Sequence, residues 1–156
     1  MQTFMPFEDF AKSASVLDRQ RLGKQRVETL QIMQALTGLK YDPESDDILE
    51  YDSPASIRKH WVTRMWFGHE RQLMEYQEAV VHEWTAVRGY KDSCLEKTRK
   101  IFDWVSFDAQ SAPEWLGAPE FHLQHQARLV SKNPEFYEPR FPGVLPIDDY
   151  DFRWRA

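Results

Sequence analysis

At 156 residues the chain is long enough for one domain with a proper core and too short for two. Apolar residues make up 42% and aromatics 14%, which excludes a disordered chain. Lys and Arg total 20 against 25 Asp and Glu, and a net charge of −5 argues against non-specific wrapping of nucleic acid.

A local basic site remains open. From Lys12 to Lys40 the basic residues are Lys12, Arg19, Arg21, Lys24, Arg26 and Lys40, opposed only by Asp18 and Glu28. The acids crowd between Asp42 and Asp52 and between Asp148 and Asp151. Cys94 is the single cysteine, so an intramolecular disulfide and a cysteine-based zinc site are both excluded. No charged-then-apolar leader and no long apolar run is present, so the expected location is cytoplasmic, without membrane contact.

Residues 1–16 hold a dense apolar cluster, Phe4, Met5, Phe7 and Phe10, which predicts a packed N-terminus. Pro6 suits the first turn of a short helix. The first long helix opens at LDRQRLGKQRVE and stops at Gly38, a C-cap signature. At about 100° per residue, Leu22, Thr29, Met33 and Leu36 form one apolar stripe, flanked by Leu30 and Ile32. Arg26 lies inside that stripe, with Arg19 on its side. Arg21, Gln25 and Glu28, spaced i, i+4, i+7, line one flank. An unpaired buried guanidinium is very costly, so Arg26 needs a carboxylate, a run of carbonyls or an anionic ligand. Gly23 lets another group approach the helix closely.

Residues 39–54 read as an acidic surface loop, and no strand with clear alternation is expected anywhere. Ser53-Pro54 opens the next helix, with Ser53 as cap and Pro54 at the first helical position. Gly68 kinks it or divides it in two. A core stripe of Leu73, Tyr76, Val80 and Trp84 follows, ending at Arg88-Gly89. Asp92 or Ser93 caps a helix with Cys94 or Leu95, Thr98, Ile101, Phe102 and Val105 inward. Pro119 starts a helix ending near Ser131, and Asn133-Pro134 starts one further turn. The tail FPGVLPIDDYDFRWRA is expected to be extended, with its closing aromatics packed back on the body. The predicted class is all-α: a single domain over residues 1–156, an irregular bundle of about five helices with a proline-rich tail.

His122 and His125 share a helix face at i, i+3, but no residue fixes a third metal ligand, so no metal or other cofactor is expected. His69-Glu70 lacks the second histidine of a zinc-protease motif. No phosphate loop, dinucleotide fingerprint or nucleophile elbow is present. The remaining polar set is Arg19, Arg21, Lys24, Gln25, Arg26, Glu28, His69, His122, His125, Gln126 and Lys132. With aromatics such as Trp61, Trp66 and Trp115, it suits a nucleotide or DNA with a base out of the stack. A carboxylate beside cations also suits N-glycosidic cleavage, whose transition state has oxocarbenium character. An ordinary polar surface over a tryptophan-rich core accounts equally for the same residues.

At LDRQRLGKQRVETLQI and WLGAPEFHLQHQARLVSKNPEFY the chain resembles small bacterial and phage proteins of the pyrimidine dimer DNA glycosylase, or endonuclease V-like, family. The MQTF start, MWFGHE and EWTAVRGYKDSC carry the likeness further. The resemblance implies an all-α protein that flips a base, attacks the sugar C1′ with its N-terminal amine, and cuts the strand by β-elimination. It implies Glu28 as the catalytic carboxylate, Arg26 as its helix partner, and Met1 as the amine, because Gln2 is too bulky for ready Met removal. In the family the glutamate directly follows the arginine; here Val27 intervenes and turns Glu28 by about 100°. Arg19, Arg21, Lys24 and Gln25 would bind substrate, with His69, His122 and His125 at the base. The expected partner is DNA or a nucleotide-like ligand. The alternative is a non-catalytic nucleotide, modified-base or nucleic-acid binding module, or an enzyme on a free nucleoside or nucleotide. This reading turns on Arg26 greeting a charged ligand; an internal acid on Arg26, with both histidines aimed elsewhere, would remove its basis.

Overall fold

The computed structural model describes residues 1–151. The aromatics expected to close the tail, within 152–156, lie outside the described residues. Eight helices are present among the described residues: α1 (Phe10–Val16), α2 (Arg19–Thr37), α3 (Ala55–Arg58), α4 (Trp61–Met65), α5 (Glu70–His82), α6 (Cys94–Val105), α7 (Pro119–Lys132) and α8 (Pro134–Tyr137). A π-helical turn, Glu83–Val87, extends α5. The protein is thus mainly helical, and no helix among the described residues is long and apolar enough to cross a membrane.

The long helix α2 is bounded as its caps dictate. The Asp18 carboxylate accepts from Arg21 N–H at one end, and Gly38 takes φ 68° at the other. Leu22, Thr29, Ile32 and Met33 are fully buried where α2 packs on α5 and α6, whereas Leu36 is only partly covered. Gly23 is where the helices close up: a Cβ there would stand 3.1 Å from the Trp84 indole. One contiguous apolar cluster runs from Phe4 through Trp66, Tyr76 and Trp115 to Phe141. Trp66 meets Trp115 edge-on at 4.9 Å.

Three local expectations are corrected. Residues 39–50 form an antiparallel hairpin, β1 (Leu39–Asp42) and β2 (Asp47–Glu50), with Leu39 opposite Glu50 and Asp42 opposite Asp47. Its strands are four residues each and neither has a fully buried face, so no alternation marks them. The Asp42 carboxylate turns the chain by accepting from Glu44 N–H and the Ser45 hydroxyl. Pro6 lies outside any helix; α1 starts only after Asp9, whose carboxylate accepts from Lys12 N–H. Pro54, not Ser53, holds the cap position of α3, and the Ser53 hydroxyl is buried without a hydrogen bond.

Other boundaries follow the sequence closely. Gly68, at φ 79°, separates α4 from α5. Asp92 Oδ2 accepts from Leu95 N–H at the head of α6. Asn133 caps α8 through Phe136 N–H. Residues 142–151 contain no helix or strand and lie along α7. There Arg128 donates to Ile147 O at 3.0 Å, and Asp151 N–H donates to Gln124 Oε1 at 2.6 Å.

Candidate active site

The N-terminal segment, residues 1–6, belongs to no helix and no sheet. Side chains satisfy its backbone instead. Gln2 N–H donates to Glu28 Oε2 at 3.1 Å, and Phe4 N–H donates to Gln25 Oε1 at 2.9 Å. Met5 N–H donates to His125 Nδ1 at 2.9 Å, and His122 Nδ1 stands 2.8 Å from Met5 O. The Tyr76 hydroxyl lies 2.8 Å from both Phe4 O and Gln25 Oε1, and Gln126 donates to Pro6 O at 2.9 Å. Trp66 Nε1–H donates to the Thr3 hydroxyl at 3.0 Å. Residues 2–6 are all buried. Buried backbone groups must be paired, and here α2, α5 and α7 together supply partners that a strand neighbour would otherwise give.

Where this segment begins, a recess of about 280 Å³ opens between α2, α7 and the start of α4. Met1, Arg21, Lys24, Gln25 and Glu28 line one wall. Arg128 and Lys132 line the other, with His60, Trp61, Asp149 and Tyr150 at the rim. Trp61 and Tyr150 approach to 5.3 Å between ring centres. The i, i+4, i+7 flank of α2 therefore faces this recess as a unit.

Burial raises the Glu28 carboxyl above the ordinary carboxylate range. The Gln2 N–H, the terminal ammonium, Lys24 and Lys132 pull it back down by smaller amounts. Lys132 moves the other way. Burial first, then Arg128, Arg21 and Lys24, push its ammonium below the usual lysine range. A half-buried carboxylate beside an amine and facing surplus cations is a place for proton transfer on an anionic substrate.

Several expected site residues lie elsewhere. Arg26 is not in the recess. Its guanidinium pairs with Asp92 at 2.6 Å and rests on the Trp84 ring at 4.6 Å. Arg26 on an internal acid, with His122 and His125 both turned away from the recess, is the outcome under which the enzymatic reading built on Arg26 loses its basis; Glu28 and Met1 line the recess without any of the three. His122 and His125 do not line the recess either: His122 uses both ring nitrogens, Nδ1 on Met5 O and Nε2 on Gly117 N–H at 2.9 Å, whereas His125 takes Met5 N–H on Nδ1 and leaves Nε2 buried without a hydrogen bond. His69 Nδ1 stands 3.0 Å from Ser111 O, tying the loop before α7 to the head of α5. Arg19 lies over Tyr90 at 4.9 Å and borders a second, more open groove along Trp84 and Val27. Arg21 reaches the recess while paired with Asp18 at 3.2 Å.

The sequence reading missed His60, Arg128, Asp149 and Tyr150. Only Arg128 had a local signal: it stands four residues before Lys132, on the same face of α7. Trp66 and Trp115, weighed as base platforms, are buried in the core. Among the described residues no group of three or more His, Cys, Asp or Glu could hold a metal ion.

Fold and site define a class of small helical protein in which a buried N-terminal segment, the Glu28 carboxylate and several cations meet in a single recess. A family model described as pyrimidine dimer DNA glycosylase matches residues 1–98, more than half of the chain. The chain belongs to that family. No curated protein and no solved structure gives a significant match. The matched span contains Gln25 and Glu28, whereas Arg128, Lys132, Asp149 and Tyr150 lie beyond it.

Proposed function

We propose that this protein is a DNA glycosylase with an associated lyase step, acting on damaged or modified pyrimidines. The observation that carries the reading is the Glu28 carboxylate accepting the Gln2 N–H at 3.1 Å beside the terminal amine. The α-amine of Met1 attacks the sugar C1′; its lone pair forms the new C–N bond as the glycosidic bond breaks. The base leaves with that bonding pair and takes up a proton. Ring opening yields an imine. Loss of a C2′ proton then expels the 3′ phosphate, and water hydrolyses the imine to free the amine. Glu28 stabilises the oxocarbenium character at C1′, and burial, which raises its carboxyl above the ordinary range, favours its taking up and returning a proton. Arg21, Lys24, Arg128 and Lys132 hold backbone phosphate, while Trp61, packed on Tyr150, supplies an aromatic surface to the recess.

Borohydride trapping tests this. A duplex carrying a pyrimidine dimer or an abasic site should yield a covalent adduct, and peptide mapping should place it on Met1. Intact mass establishes whether Met1 heads the protein. A wild-type protein that traps nothing excludes the Schiff-base route.

One observation favours a second reading. The chain is acidic, with a net charge of −5, which suits a small ligand better than a long duplex. A non-catalytic module for a nucleotide or modified base fits that charge. A thermal-shift comparison of nucleotides with lesion-bearing duplexes separates the two.

A further inference from the structure

The fold places two buried histidines, 120 and 117 residues away in sequence, on the N–H and the C=O of one residue of the N-terminal segment, Met5. Met5 N–H can only donate, so His125 Nδ1 accepts and its proton sits on Nε2. Met5 O can only accept, so His122 Nδ1 carries the proton and its Nε2 accepts from Gly117 N–H. The two rings thus hold opposite tautomers. The i, i+3 spacing on α7 sets them on the two backbone polar groups of that single residue. Neither ring lines the recess, and both are buried.

The next residue decides what this arrangement does. Pro6 has no N–H. Sliding the segment by one residue would bring Pro6 to His125 and leave that acceptor empty. Sliding it the other way would bring Phe4 N–H there and turn the buried Phe4 and Met5 side chains out of their places in the core. A segment without a sheet partner has weak register of its own, and a one-residue slip turns its side chains away from their places. Met5 stands only four residues from Met1, so an error at the histidines is passed on to the terminus. Gln25 links the two ends: it holds Phe4 N–H and stands 3.4 Å from Glu28 Oε2.

We propose that His122 and His125 are positioning residues, a register lock on Met5 that sets residues 1 and 2 against Glu28. This rests on the catalytic reading above only for its kinetic consequence. Burial supports it by holding the His125 imidazole neutral, pushed down to about 3, so that the acceptor persists across the working pH range.

The test compares His125→Leu with His125→Asn, whose Oδ1 can take the place of Nδ1. On an abasic-site duplex, His125→Leu should lower kcat by about 10- to 100-fold through misplacement of the amine, with DNA affinity within about twofold. His125→Asn should restore most of that rate. In parallel, amide proton exchange at Gln2 and Phe4 should accelerate in His125→Leu and return toward wild type in His125→Asn. Unchanged kcat in folded His125→Leu overturns the proposal, as does unchanged exchange at Gln2. If wild-type protein traps no DNA adduct, the glycosylase reading fails, and the exchange measurement alone upholds or overturns the lock.

Discussion

Arg26 and Glu28 stand two residues apart on α2 and face opposite sides of it. Arg26 ends on Asp92 at 2.6 Å, and Glu28 ends under the Gln2 N–H at 3.1 Å. Two helical steps are about 200°, so one helix serves the core with its arginine and the recess with its glutamate.

That separation makes Glu28→Gln a clean probe. The amide keeps an oxygen for Gln2 N–H, so fold and DNA affinity should survive. Cleavage of a dimer-containing duplex should fall by about 10²- to 10⁴-fold with the loss of proton transfer. Single-turnover cleavage alongside an equilibrium binding measurement decides it; undiminished cleavage excludes Glu28 from the chemistry.

Arg26→Leu should behave in the opposite way. It leaves Asp92, whose side chain is only 5% exposed, without its cation. Breaking a buried pair from one side costs about 3–5 kcal/mol, so the melting temperature should drop sharply. Adding Asp92→Asn should recover part of that loss, since an uncharged carboxamide is cheaper to bury. Cleavage at a temperature where the variant stays folded should be near wild type. Its disappearance there would return Arg26 to the site.

Acid should unfold the protein through His125. Its folded value is about 3, depressed from 6.5 first by burial and then by His122. The unfolded chain therefore binds the extra proton first. The stability concerned is fully present above about pH 6.5 and drains away as pH falls toward 3. Urea midpoints taken from pH 7 to pH 4 should decline steeply in wild type. The decline should be shallower in His125→Asn, which has no proton to gain at that position. Parallel slopes would show that other groups carry the acid sensitivity.

Lys132 should tune the acidic limb of cleavage. Its charge is one of the influences pulling the Glu28 carboxyl down against burial. Lys132→Met removes that pull, so the limb of the kcat–pH profile should move to higher pH. A shift to lower pH would mean that the limb belongs to a group other than Glu28.

Much of the helical framework was legible in the residues because its signals are local. Asp18 and Gly38 bound α2, Gly68 divides α4 from α5, and Asn133 caps α8, each through contacts within a few positions. The grouping of Arg21, Gln25 and Glu28 was equally plain, since helical period alone puts them on one flank. The hairpin at 39–50 stayed hidden because four-residue strands with no fully buried face leave no alternation to read.

The sequence by itself determined a helical chain, an Arg26 that must find a counter-charge, and a flank of α2 carrying the carboxylate. Only the tertiary structure decided which counter-charge Arg26 takes and what the carboxylate faces. Asp92 lies 66 residues from Arg26, and Met5 lies 120 from His125. Such pairings depend on how helices pack and on which backbone atoms a fold leaves unsatisfied, and neither is written into the spacing of side chains along one helix.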